Sequence, residues 1–72
     1  MLIGENVRSK RLDEGLTQQE LAEKLAVNQA YVAKIEKGVK VPSLPLARQL
    51  AEVLHCTLDE LCGIEMKSEK ED

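Results

Sequence analysis

Gln29 and Lys34 carry groups that can read the edge of another molecule, if the backbone presents them. A glutamine amide donates and accepts at once, so it can pair in bidentate fashion with adenine, and a lysine can donate to guanine or to a phosphate. Ala30, four residues before Lys34, offers a methyl that can meet a thymine methyl, although alanine is equally good helix filler. Tyr31 can give its hydroxyl to a phosphate while its ring packs against a neighbouring turn. Asn28 is better suited to capping a helix than to reading, and can do both. Lys40 suits phosphate positioning, whereas Lys37 reads as an ordinary solvated lysine. The plain alternative for each is an exposed helix residue with no partner, and the backbone that carries them decides between the two.

That backbone is legible in LTQQELAEKLAVNQAYVAKIEKG, residues 16–38. Thr17 and Glu20 have capping-box spacing, and Leu16 and Leu21 flank them as a hydrophobic staple. Leu21, Ala22 and Leu25 recur at helical spacing. Only Ala26 and Val27 then separate this helix from Asn28, a good N-cap. The next helix carries Val32 and Ile35 inward and stops at Gly38. Two short helices with so short a joint make a helix-turn-helix, whose second helix can lie in the major groove of DNA with Gln29 at its start.

The rest of the chain reads as three more helices and no strand. The first is expected from about Ile3 to Glu14, with Ile3, Val7 and Leu12 inward and Gly15 as its stop. The fourth opens at Ser43, tolerates Pro45 in its first turn, and continues through Leu46, Leu50, Ala51 and Leu54 to His55, where a Gly or Asn would be the usual C-cap. The fifth opens with a second capping box, Thr57 to Glu60, with Cys56 and Leu61 as its staple, and stops at Gly63. One domain is expected over 1–63, followed by a polar, frayed tail over 64–72. The 72 residues include no Phe or Trp and a single Tyr, so the core must be aliphatic.

Charge is informative through its distribution. The net charge is −3, of which the last ten residues contribute −2 through four acids and two bases. Arg8, Lys10, Arg11, Lys34, Lys37 and Lys40 gather on the first helix and the end of the third, with Glu20, Glu23, Glu52, Asp59 and Glu60 elsewhere. A near-neutral domain with one basic face can still bind phosphates, more weakly than a strongly basic protein. The competing reading is of solvated helix lysines. No apolar run reaches the roughly 20 residues of a membrane span, and the N-terminus lacks a secretory signal, so a cytosolic protein is expected. Cys56, Cys62 and His55 offer only three soft ligands and no C-x-x-C, which favours buried, reduced thiols over a metal or redox site. One histidine and no nucleophile–base pairing at informative spacing argue against an enzyme.

The order GLTQQELAEKL, Tyr31-Val32-Ala33, Ile35-Glu36-Lys37-Gly38 and Pro42-Ser43-Leu44 resembles the phage-repressor type of regulator, the Cro and xenobiotic-response-element family, over residues 3 to 62. The resemblance implies an all-α, compact five-helix domain like that of lambda repressor, with helices 2 and 3 as the helix-turn-helix. It also implies a cytoplasmic, nucleoid-associated bacterial or phage protein that needs no cofactor. Its expected partner is double-stranded DNA, a palindromic operator bound as a homodimer to repress or autoregulate transcription. By the same resemblance Gln18 donates to a phosphate and braces Gln29. Arg11 pairs with Glu36 as a structural salt bridge, and can touch a phosphate from the same place. Ala26 stands where the family commonly has glycine, and Lys10 where it often has an aliphatic residue, so Leu12 is expected to fill that space. Leu54, Leu58, Leu61 and Ile64, with Met66, are candidates for a dimer strip, the alternative being that Leu58 and Leu61 cap the core of the single chain. The same fold also serves antitoxins and restriction-modification controllers, where a partner encoded by a neighbouring gene is expected. A protein-interaction adaptor that no longer binds DNA is the third possibility.

Overall fold

The computed structural model describes residues 3–62. It contains five helices: α1 (Ile3–Asp13), α2 (Gln18–Leu25), α3 (Gln29–Glu36), α4 (Leu44–Val53) and α5 (Leu58–Cys62), with no strand among the described residues. Helices of eight residues are too short to persist alone in water, so their stability comes from the faces they bury together. α2 packs on α3 and α4, α1 packs on α3 and α5, and α4 packs on α5. The core is aliphatic throughout, with Val7, Leu21, Val32, Ile35, Leu50, Leu54 and Leu61 almost wholly removed from solvent.

The expected start signals are all in use. Thr17 Oγ1 accepts from Glu20 N at 3.0 Å while Glu20 Oε1 accepts from Thr17 N at 2.9 Å, and Thr57 and Glu60 repeat the reciprocal pair at α5. Asn28 Oδ1 caps α3 through Tyr31 N at 2.9 Å, and Ser43 caps α4 ahead of Pro45 in its first turn.

Four connections share one stop. Gly15, Ala26, Gly38 and His55 all take a left-handed backbone, with φ between 57° and 81°. The amide after each reaches back to close the preceding helix: Leu16 N to Arg11 O, Val27 N to Ala22 O, Val39 N to Lys34 O and Cys56 N to Ala51 O, all at 2.9–3.1 Å. Ala26 and His55 adopt this conformation in spite of their Cβ atoms, at a cost on the order of 1 kcal/mol each.

The first helix departs from expectation. Leu12 is 53% exposed and fills no core space. The inward face of α1 is Ile3, Gly4, Val7 and Arg11, so position 11 holds the slot one turn after Val7, and Leu12 lies a further 100° round the helix. Lys10 is itself half-buried. Gly4 explains how closely α1 approaches α3, since a Cβ there would overlap Ile35 O and come within 2.8 Å of Glu36 O. Asn6 Nδ2 donates to Leu61 O at 3.0 Å and ties α1 to α5.

Candidate nucleic-acid interface

Ala26, Val27 and Asn28 form the whole joint between α2 and α3. The left-handed Ala26 reverses the chain, half-buried Val27 packs against the core, and Asn28 starts the next helix. This brings the first turns of α2 and α3 side by side. Gln29, Ala30 and Lys34 are exposed on α3, and Asn28, Ala30, Tyr31 and Lys34 share one open groove with Val27 and Leu46. Tyr31 is half-buried there, so its ring packs and its position also lies on the groove wall. Leu46, from the start of α4, completes that wall; the sequence assigned it to the fourth helix with no role in the groove.

A continuous line of hydrogen bonds supports the first turn of α3. Arg11 Nε donates to Glu36 Oε2 at 2.7 Å and Arg11 Nη2 to Glu36 Oε1 at 3.2 Å, while Nη1 donates to Leu16 O at 2.7 Å. The two side chains are only 9% and 3% exposed, so the pair is largely shielded from solvent and ties α1 to the end of α3. Gln18 Nε2 donates to Glu36 Oε1 at 3.1 Å, and Gln29 Nε2 donates to Gln18 Oε1 at 2.6 Å. The expected structural pairing of Arg11 with Glu36 and the brace from Gln18 to Gln29 are both present. A phosphate contact by Arg11 has little exposed surface to work from, because three of its nitrogens already have acceptors within the protein.

Lys40 is exposed in the connection between α3 and α4. The backbone amides of Val39 and Lys40 both donate to Lys34 O, at 2.9 and 3.2 Å, so they close α3 instead of waiting for an external anion. Lys10, half-buried on α1, lies close enough to α5 for its charge to act on Glu60 and Cys56. The Thr57 backbone N–H, and then Lys10, hold the Glu60 carboxyl below its ordinary value. Burial pushes the Cys56 thiol up, and both cysteines are free and half-buried. His55 Nδ1 lies 2.9 Å from Glu14 Oε1 on the surface. No group of three or more His, Cys, Asp or Glu side chains could hold a metal among the described residues.

Two members of the candidate dimer strip lie inside the single chain. Leu54 and Leu61 are 2% and 0% exposed and belong to the core of the single chain. Leu54 caps the C-terminal end of α4 and Leu61 lies on α5, and neither reaches the outer surface of the chain. Leu58 is half-buried, and Ile64 and Met66 lie outside the described residues.

Comparison with known proteins agrees with this geometry. The helix-turn-helix family profile matches residues 7–61. An HTH-type transcriptional regulator of Archaeoglobus fulgidus is 38% identical over 55 residues, 76% of this chain and 79% of the relative. The HTH-type regulator YazB of Bacillus subtilis is 33% identical over 58 residues, 81% and 84% of the two chains. Among solved structures, the restriction-modification controller protein C.AhdI from Aeromonas hydrophila superposes with a TM-score of 0.76 at 32% identity, covering 82% of this chain and 86% of that one. With its two capped motif helices, its left-handed turn and its internal Arg11–Glu36 brace, the chain belongs to the Cro-like helix-turn-helix family of DNA-binding transcriptional regulators.

Proposed function

We propose that the protein is a sequence-specific repressor or autoregulator that binds a palindromic operator as a homodimer. The observation that carries this reading is the hydrogen bond between Gln18 and Gln29, which holds an exposed amide at the first turn of the exposed motif helix. Gln29 reads a base, Ala30 and Lys34 contact the adjoining groove edge, and Gln18, Asn28, Tyr31 and Lys40 position the protein on phosphates. Arg11 acts mainly by holding Glu36. One helix-turn-helix contacts only a few base pairs, so operator specificity calls for two copies with recognition helices about 34 Å apart. Leu58, on the short fifth helix, is the described residue best placed to contribute to that pairing. The protein acts by binding, without catalysis or cofactor, and its site of action is the bacterial or phage nucleoid in the cytoplasm. No helix among the described residues is long and apolar enough to cross a membrane.

The likeness to C.AhdI favours a second reading within the same chemistry, a controller of a restriction-modification pair. Selection from a randomised duplex library at fixed near-physiological salt tests both, with Gln29→Ala as control. A two-fold-symmetric motif that relaxes at one position per half-site in the variant is the expected result. Weak, salt-sensitive binding shared equally by the variant, with no enriched motif, would replace this reading with that of a protein-interaction adaptor. A motif matching sequence upstream of an adjacent endonuclease gene selects the controller.

A further inference from the structure

The line of hydrogen bonds from Arg11 to Gln29 has a direction. A carboxylate only accepts, so Gln18 must turn its nitrogen toward Glu36, as it does at 3.1 Å. Its oxygen is thereby turned toward Gln29, whose nitrogen donates to it at 2.6 Å. The Arg11 guanidinium holds both oxygens of that carboxylate and keeps the origin of the sequence in place. Reversing either amide would set oxygen against oxygen or nitrogen against nitrogen at one of these contacts.

We infer that Glu36, an internal residue that touches no DNA, is a positioning residue that fixes the hydrogen-bond pattern Gln29 presents and so selects adenine over guanine. The inference rests on Gln29 being the base-reading residue. One Nε2 proton of Gln29 is committed to Gln18, which leaves one donor proton and the carbonyl oxygen side by side. Adenine offers the complement in the major groove, an acceptor at N7 and a donor at N6. Guanine offers two acceptors, N7 and O6, so the oxygen of an oriented Gln29 would face O6 without a proton between them. If the amide were free to turn, its whole NH2 group could be offered to guanine, and the discrimination would fall.

The test compares wild type, Gln18→Met, Glu36→Gln and Gln29→Ala in two measurements. In the DNA-free protein, hydrogen exchange at the Gln29 side-chain amide is read by NMR, and should quicken several-fold in Gln18→Met and Glu36→Gln. Selection from the randomised duplex library then gives the adenine-to-guanine ratio at the position that relaxes in Gln29→Ala. That ratio is expected on the order of tenfold in wild type, falling to within about twofold in the two relay variants, with the remaining motif positions unchanged. Loss of fold or loss of a phosphate contact would lower affinity for all sequences together and would not move one ratio. Gln18→Met leaves the Arg11–Glu36 pair intact, so its result stands even where Glu36→Gln folds poorly. A wild-type ratio retained in folded Gln18→Met, together with an unchanged exchange rate, overturns the positioning role. Quickened exchange in a protein whose selected motif ignores Gln29→Ala overturns the base-reading assignment and the adenine preference with it.

Discussion

Gly4 on α1 and Ile35 on α3 meet backbone to backbone, with no room between them for a single methyl group. Both obstacles to a Cβ, Ile35 O and Glu36 O, are main-chain atoms of a packed helix and cannot swing aside. Gly4→Ala is expected to push the end of α3 outward and cost roughly 1–3 kcal/mol as overpacking, despite the better helix propensity of alanine. Urea denaturation checks this; an unchanged midpoint would show that the helices slide apart at no cost.

The Arg11–Glu36 pair should behave as an all-or-none brace. Removing one partner leaves an internal charge unpaired, so Arg11→Met or Glu36→Leu alone is expected to cost about 3–5 kcal/mol. That is a large share of the stability of a domain this size. The double variant should regain most of it, because two apolar side chains need no hydrogen bonds. A double-mutant cycle by chemical denaturation measures the coupling, and simple additivity of the two losses would refute it.

The left-handed Ala26 predicts a gain. Ala26→Gly relieves the Cβ clash of that backbone, φ 60°, and should stabilise the protein by up to about 1 kcal/mol after the extra freedom of the unfolded chain is counted. For a domain of this length the melting temperature should rise by roughly 4–8 °C per kcal/mol. The motif selected from duplex DNA should stay the same, since Ala26 lies in the turn and contacts no base in the proposed complex.

Glu60 predicts an effect on the acid side. Its carboxyl is held below its ordinary value of 4.5 by the Thr57 amide and by Lys10, so folding favours the ionised form. Its contribution is fully present above that ordinary value and is lost as the pH falls through the depressed folded value. Glu60→Gln should lower stability near neutrality and make the decline at acid pH shallower. A denaturation series from pH 7 to about pH 3 reads both changes, and parallel curves for the two proteins would contradict the assignment.

The starts of α2 to α5 and the stops of α1 to α4 were legible in the sequence because they rest on local chemistry, while the expected stop at Gly63 lies outside the described residues. Thr17 with Glu20, Asn28, Ser43, and Thr57 with Glu60 each satisfy backbone groups within a few residues. Leu12 misled because spacing along a helix tells which residues share a face, not which of two neighbouring faces is inward. An arginine took the inner position only because Glu36, 25 residues away, was there to receive it. Leu54 and Leu61 show a related ambiguity: an apolar strip fits a partner surface or the chain's own core equally well until the helices are placed, and both lie in the core. Gly4 and Asn6 were silent, since their roles depend on a close approach and a carbonyl supplied by distant elements. Nothing local separates such residues from ordinary helix positions.

The all-aliphatic core has a spectroscopic consequence. Without Phe or Trp, and with Tyr31 as the only tyrosine, ultraviolet emission from the folded protein comes from a single ring. That ring sits on the wall of the groove with Asn28, Ala30 and Lys34, away from the centre of the core. Its brightness, quenching and anisotropy therefore report on one face of one helix. A titration with duplex DNA can be followed on that signal without a label, and the same wavelength follows unfolding of α3. The molecule carries its own optical probe at the surface where recognition is proposed.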